Sequence, residues 1–311
     1  MTDRYAVIGH PIAHSKSPRI HAAFAAETGQ DLSYEALLAP LDDFAGTWRR
    51  FVAAGGRGAN VTVPFKEEAW RLCDVRSPRA EQAGAVNTLS VDADGRVRGD
   101  NTDGVGLVRD IADNAGWPLV GRRVLLLGAG GAARGVVGPL LAAGAGEVLI
   151  ANRTADKAVA LAALFGSAGA APLPVSGLAL AALAESAAAM PCDVIINATS
   201  ASLQGERLGL ADGWFHGATA VYDMMYGAET PFLAWAREAG LQQRRDLAHR
   251  HLGGHLVQAP QRGAADQADH REHVQLRATV SHAVSNHRSA APRRPRPAHR
   301  WHGRRAPARS P

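Results

Sequence analysis

Apolar positions along this chain fall into short runs broken by glycine, proline and polar pairs. Residues 4–8, 33–38, 59–63, 85–90 and 96–99 read as strands, and the Asp92-Ala93-Asp94-Gly95 turn joins the last two. Between them lie helices. Ser17 is expected as N-cap and Pro18 as the first residue of a helix reaching about residue 28. A second helix is predicted over 42–53, a third opens at Pro64-Phe65-Lys66, and another spans about 104–115. From residue 124 the pattern runs strand 124–128, helix 131–143, strand 147–151 and helix 154–165. An alanine-rich helix at 178–188, strands 193–197 and 218–222, and a helix from Thr230-Pro231 to about 239 complete it. Strands alternating with helices predict parallel α/β architecture. The turn at 116–121 places a boundary near 103–120. The expected fold is therefore a smaller α/β domain at 1–103, a Rossmann-like domain at 104–240, a cleft between them, and a tail at 241–311.

The second half opens on an apolar run, Val124-Leu125-Leu126-Leu127, that meets Gly128-Ala129-Gly130-Gly131-Ala132 and then an alanine-rich helix. This is the strand–turn–helix context of a dinucleotide fingerprint. Gly128 permits the tight turn, Gly130 lets the backbone approach a pyrophosphate, and Ala133 allows close helix–strand packing. The helix start offers unpaired N–H groups to phosphates. Any tight turn between strand and helix shares the glycines, so the next strand end matters more. An NAD site carries an acidic residue there to bind the ribose 2′-hydroxyl. This chain has Asn152, Arg153 and Thr154 instead. An arginine fork with neutral donors suits a 2′-phosphate, which points to NADP; the alternative is a solvated arginine at a strand end.

Length and composition narrow the class. The 311 residues suffice for two domains, and a hydrophobic fraction of 46% supports an ordinary core. No run of about 18 apolar residues predicts a membrane span. The opening Met1-Thr2-Asp3-Arg4-Tyr5 enters a strand without a signal-peptide pattern. Cys73 and Cys192 lie far apart in apolar surroundings, as buried inert thiols do, and a reducing cytoplasmic location is expected. The net charge of +5 is unevenly spread. Residues 241–311 hold 14 arginines and four acidic residues, a net of +10, which leaves 20 basic against 25 acidic residues before them. That segment also holds nine of the 13 histidines and no Ile, Phe, Lys, Met, Tyr or Cys. Such a composition buries little core and is expected to be disordered. Its histidines lack metal-ligand spacing, so no metal site is expected.

Three polar groupings sit at strand ends or helix starts of the first domain: Ser15 with Ser17, Thr62 with Lys66, and Asn87 and Thr88 with Asn101 and Asp103. Open α/β sheets bind ligands at the carboxyl ends of their strands. Hydroxyls, amides and a carboxylate converging there suit a small polyhydroxylated acid. Lys66 follows an apolar strand, where partial burial suits a proton-transfer group, and Asp103 is placed to pair with it. Singly, each has a plainer role: Ser17 or Asp103 as a helix cap, Lys66 as a surface lysine.

The segments 5–18, 60–66, 84–88 and 99–104 together resemble the shikimate dehydrogenases, in order, as do 128–132, 152–154, 196–200, 222–226 and 230–232. The resemblance covers residues 4 to about 240. It implies that Ser15 and Ser17 bind the substrate carboxylate, that Thr62, Asn87 and Asp103 hold ring hydroxyls, and that Lys66 is the general acid/base assisted by Asp103. It also implies that Gly128, Ala129, Gly130, Gly131 and Ala132 take the pyrophosphate. Asn152, Arg153, Thr154, Ala155, Asp156 and Lys157 would surround the 2′-phosphate. Met224 would line the nicotinamide and Tyr226 the substrate. The implied reaction is the reversible NADPH-dependent reduction of 3-dehydroshikimate to shikimate, on the route to chorismate and the aromatic amino acids. The implied partners are this substrate and NADP, with no nucleic acid and no membrane; a homodimer stays open.

The ending departs from the family, which closes with a helix carrying a substrate-binding glutamine. The turn of Asp-Gly-Leu-Gly-Met-Leu type that precedes that helix in the family is absent from residues 243–251, and 254–259 are only faintly similar to the helix. The reading is an out-of-frame ending or a sequencing error in place of the family's closing helices; the alternative is an arginine-rich appendage that binds nucleic acid. Two further activities stay open at this stage: a quinate/shikimate dehydrogenase, and a non-catalytic relative that binds NADP or shikimate.

Overall fold

The computed structural model describes residues 2–165, 175–185, 191–201, 210–225 and 229–245. The first sheet is built from β1 (Asp3–Gly9), β2 (Leu32–Leu38), β3 (Gly56–Val61), β4 (Val75–Arg76), β5 (Thr88–Val91) and β6 (Val97–Asp100), in the order β2-β1-β3-β5-β6-β4. Its helices are α1 (Ser17–Thr28), α2 (Phe44–Ala53), α3 (Lys66–Leu72) and α4 (Pro78–Ala83). Helix α2 shows why the chain coils there: Phe44, Thr47, Trp48 and Phe51 form one buried stripe, and the Asp43 carboxylate caps the start by accepting from Gly46 N–H at 3.0 Å.

The first sheet is mixed: the turn at 92–95 folds β5 and β6 into the antiparallel pair expected of it, whereas the alternation of strands with helices carries no signal for β5 running antiparallel to β3 as well. β5 runs antiparallel to both β3 and β6, pairing Asn60 with Thr88 and Thr88 with Asp100. Strand β5 therefore begins where β3 and β6 end. This brings Asn87 to the carboxyl edge of its neighbours, although 85–87, expected as part of the strand, lie outside β5.

The second sheet contains β7 (Arg123–Leu127), β8 (Glu147–Asn152), β9 (Val175–Ala179), β10 (Val194–Asn197), β11 (Ala220–Asp223) and β12 (Gln242–Arg245), all parallel, in the order β12-β11-β10-β7-β8-β9. Around it lie α5 (Asp103–Arg109), α6 (Gly131–Ala142), α7 (Ala155–Ala163), α8 (Ala182–Glu185) and α9 (Pro231–Glu238). Strands β7, β8 and β10 are largely apolar because both faces are covered. Val124, Leu126, Ile150 and Ile196 enter one core, and Leu125, Leu127, Leu149 and Ile195 enter the other.

Four further expectations change. The α1 cap position is Lys16, with no side-chain cap bond; Ser17 is already helical, and its N–H donates to Ser15 Oγ at 3.3 Å. The helix over 104–115 divides into α5 and a π-helical turn at Asp110–Asn114. The alanine-rich helix over 178–188 gives way to β9 and the short α8. Here tertiary packing overrides propensity: a side chain at Gly177 would stand 2.4 Å from backbone atoms of Ala158 and Val159 in α7, so the glycine lets the helix lie directly on the strand. The folded chain also continues past 240, since Leu241 is buried and β12 pairs with β11. The rest of the tail, with the 254–259 segment, lies outside the described residues.

The two sheets meet through small residues. A Cβ at Gly104 of α5 would lie 2.3 Å from the Gly135 carbonyl oxygen and 2.4 Å from Pro139 Cγ in α6. Pro139 has no N–H to donate to that carbonyl, and the close approach of α5 covers it. No helix among the described residues is long and apolar enough to cross a membrane.

Candidate active site

Lys66 and Asp103 each begin a helix, α3 and α5, at the carboxyl edge of the first sheet. Thr102 holds the cap position of α5, so Asp103 is not serving as a cap. Lys66 Nζ donates to Asp103 Oδ2 at 2.5 Å, with side chains only 12% and 6% exposed. Asn87, also buried, donates through Nδ2 to the other carboxylate oxygen, Oδ1, at 2.7 Å. Its own orientation is fixed from behind: Asn87 Oδ1 accepts from Thr102 N–H at 3.0 Å and from Thr88 Oγ1 at 2.9 Å. Asn101 steadies the Asp103 backbone, accepting its N–H at 3.2 Å while donating to Ala85 O at 3.0 Å. One rigid polar chain thus runs from Thr102 through Asn87 and Asp103 to Lys66.

The loop before it is anchored as well. Asp100 Oδ1 accepts from Ser77 Oγ at 2.5 Å, Arg79 Nε at 2.7 Å and Asn101 N–H at 2.7 Å. Burial pushes this carboxyl up, but the hydrogen bonds from Arg79 and Ser77 and the Arg79 charge hold it below the usual carboxylate range.

Ser15 and Ser17 are half-buried in the loop and first turn after β1, and Thr62 is half-buried after β3, where its N–H donates to Ile8 O at 2.9 Å. The Thr62 methyl fills the space that a Cβ on Gly9 would need, 2.4 Å away, so the ends of β1 and β3 lie in contact. Tyr226 lies outside the described residues.

The glycine turn stands against this site. Gly128 has φ +108°, a conformation that L side chains rarely adopt. A Cβ at Gly131 would lie 2.8 Å from Lys66 Cβ. Among the described residues, a Cβ at Gly130 would meet no atom within 4 Å. The α6 start has neither a side-chain cap nor an acidic residue in its first turn. These features fit a phosphate group: open space beside Gly130, with the helix N–H groups at its edge. At the end of β8, Asn152 Nδ2 donates to Thr154 O at 2.9 Å, and Arg153 and Thr154 are exposed. Ala155, Asp156 and Lys157 form the first turn of α7. No carboxylate stands among Asn152, Arg153 and Thr154 to repel a 2′-phosphate.

Two functional candidates were missed by assigning roles from motifs alone. Asn197 and Asp223 end strands β10 and β11, fully buried, with Asn197 Nδ2 donating to Asp223 Oδ1 at 3.2 Å. The available signal was a polar residue closing each of two apolar strands. Met224 follows at once, its N–H donating to Asn197 O at 3.1 Å.

Residues 7–89 match the family model for the shikimate dehydrogenase substrate binding domain, and residues 110–204 match that for shikimate / quinate 5-dehydrogenase. The chain is 58% identical to the shikimate dehydrogenase (NADP(+)) of Dechloromonas aromatica over 247 residues, covering 79% of this chain and 87% of that protein. Among solved structures, an Ael1 enzyme from Pseudomonas putida is 44% identical with a TM-score of 0.65, covering 78% of this chain and 86% of that one. The shikimate 5-dehydrogenase of Thermus thermophilus, in complex with NADP(H) and shikimate, is 37% identical with a TM-score of 0.65, covering 78% and 87%. With its two-sheet fold, its buried lysine–aspartate pair and this degree of identity, the chain belongs to the shikimate dehydrogenase family.

Proposed function

We propose that the chain catalyses the reversible NADPH-dependent reduction of 3-dehydroshikimate to shikimate. The observation that carries this reading is the Thr102–Asn87–Asp103–Lys66 chain of hydrogen bonds standing against the glycine turn. In it, Ser15 and Ser17 hold the substrate carboxylate, and Thr62, Asn87 and Asp103 hold ring hydroxyls. NADPH, when bound, supplies the hydride to the ring carbonyl carbon. As the carbonyl oxygen gains charge, Lys66 gives it a proton from Nζ, and the C=O group becomes CH–OH. Asp103 orients Lys66, and Asn87 occupies the second carboxylate oxygen so that Oδ2 faces the amine. In the reverse direction neutral Lys66 takes the hydroxyl proton.

The backbone of Gly128, Ala129, Gly130, Gly131 and Ala132 takes the pyrophosphate in this reading. Arg153, with Asn152, Thr154, Ala155, Asp156 and Lys157 around it, takes the 2′-phosphate. Met224 lines the nicotinamide side. The substrate domain is residues 1–103, and the cofactor domain runs from 104 through β12.

The test follows NADPH absorbance in the full chain with 3-dehydroshikimate. Lys66→Ala is expected to lower turnover by roughly 10²–10⁴-fold, the span of a lost general acid. NADP⁺ affinity is expected to stay unchanged, because its phosphate contacts lie elsewhere. Near-normal turnover in this variant refutes the role given to Lys66.

A further inference from the structure

The carboxyl ends of β10 and β11 hold a buried polar cluster that the proton-transfer chain does not use. Asn197 and Asp223 are register partners with no exposed surface. Asp223 Oδ1 accepts from Asn197 Nδ2 at 3.2 Å and from Met225 N–H at 3.0 Å, and Oδ2 accepts from Thr230 Oγ1 at 2.6 Å. Asn197 Oδ1 in turn accepts from Thr199 N–H at 3.0 Å and Thr199 Oγ1 at 2.7 Å. The Thr199 segment touches the glycine turn: a Cβ at Gly128 would lie 3.1 Å from Ala198 O and 3.2 Å from Thr199 Cγ2. One carboxylate therefore ties together the loop after β10, the backbone after β11 and the cap of α9, and through Thr199 it reaches the glycine turn.

Burying a carboxylate is expensive for the fold. An apolar pair at the two strand ends would satisfy the packing alone. A carboxylate, however, is an acceptor with about four lone-pair sites, and it can hold donors from three separate segments at once. Strand β10 lies beside β7, on the opposite side from β8, where the strand order reverses and ligands of such sheets bind.

We infer that Asp223 is a positioning residue for hydride transfer: through Asn197 and the Met225 N–H it fixes the loops at 198–201 and 224–225 against the glycine turn, setting where Met224 stands beside the nicotinamide. This rests on the NADPH reading above. It assigns Asp223 to the geometry of the reacting end of the cofactor and not to its phosphate end.

The experiment compares Asp223→Ala, Asp223→Asn and Thr230→Val in the full chain. It measures kcat, KM for NADPH, and amide hydrogen exchange at 198–201 and 224–225 without ligand. Asp223→Ala should lower kcat roughly tenfold to hundredfold, the scale of a misplacement of about 1 Å. KM for NADPH should move less than about threefold, because groups at 128–132 and 152–157 are untouched. Asp223→Asn should restore kcat and slow exchange, since its oxygen still accepts from Asn197 and Met225 while its amide donates to Thr230 Oγ1. Thr230→Val, which deletes one hydroxyl, should lie between and serves if Asp223→Ala does not fold. Unchanged kcat and exchange in Asp223→Ala and Thr230→Val overturn the inference. So does an Asp223→Asn variant as impaired as the alanine, or a loss that falls mainly on KM for NADPH. If the unaltered chain does not reduce 3-dehydroshikimate, the functional reading fails, and the exchange rates alone then uphold or overturn the anchoring by Asp223.

Discussion

Gly131→Ala tests the contact between the two sheets where Lys66 meets the glycine turn. A methyl group at this position stands 2.8 Å from Lys66 Cβ and 3.4 Å from Lys66 Cδ. Carbon atoms pack best at about 3.5–4.0 Å, so one partner must retreat by about 0.7–1.2 Å. Lys66 has little room to do so. Its carbonyl accepts from Val86 N–H at 2.8 Å, and its Nζ is held by Asp103. The first turn of α6 must therefore take much of the shift, carrying the glycine turn away from Lys66. Overpacking costs about 1–3 kcal/mol, and the gain in helix propensity from glycine to alanine offsets up to about 1 kcal/mol of it. Turnover should suffer far more, by roughly tenfold to hundredfold for a displacement near 1 Å. Gly130→Ala is the control, because its methyl meets no atom of the described residues and instead occupies the space read as the phosphate site. The assay is steady-state oxidation of NADPH alongside thermal unfolding. Gly131→Ala should lower kcat with a small change in Tm, whereas Gly130→Ala should mainly raise KM for NADPH. Unchanged kcat in Gly131→Ala, or the same kcat and KM pattern in both variants, refutes the argument.

Arg153→Ala should raise KM for NADPH roughly tenfold to hundredfold, since a hydrogen bond to a charged group contributes about 1.5–3 kcal/mol. KM for NADH should barely move; equal losses for both cofactors mean that Arg153 is structural. Burial pushes the Cys73 and Cys192 thiols up from the ordinary 9.0 to about 12. A thiol-specific reagent at neutral pH should therefore label the unfolded chain and spare the native one, and rapid native labelling shows the burial to be wrong. The same shift gives a sign for alkali: the folded state holds these protons more tightly. The stability they contribute is complete below about pH 9 and is lost as pH rises toward 12.

What the amino-acid order determined by itself was local. The central strands of the second sheet are legible because both faces are buried and their runs are largely apolar. The turn at Gly128 is legible because a positive φ excludes most other residues. The Thr230 cap and the start of α9 follow from a Thr-Pro pair, and Thr230 Oγ1 indeed accepts from Leu233 N–H at 3.3 Å. Lys66 and Asp103 could be named from motif spacing, but not their contact, which joins residues 37 apart.

The tertiary structure decided which polar groups share buried space. The reversed direction of β5 carries Asn87 to the edge where β3 and β6 end; the turn at 92–95 reveals its pairing with β6, but nothing local reveals its pairing with β3. Strand β9 outcompetes an alanine-rich helix because it gains a neighbour in β8 and a glycine contact with α7, both outside its own segment. Strand β12 forms from Gln242–Arg245, four polar residues without a strand pattern, because β11 offers an open edge to pair with. Asn197 and Asp223 look like ordinary polar endings of apolar strands until those strands lie side by side. Periodicity records which face of an element avoids water. Which carboxylate meets which amide depends on loop closure across 26 residues for that pair, and no local preference encodes it.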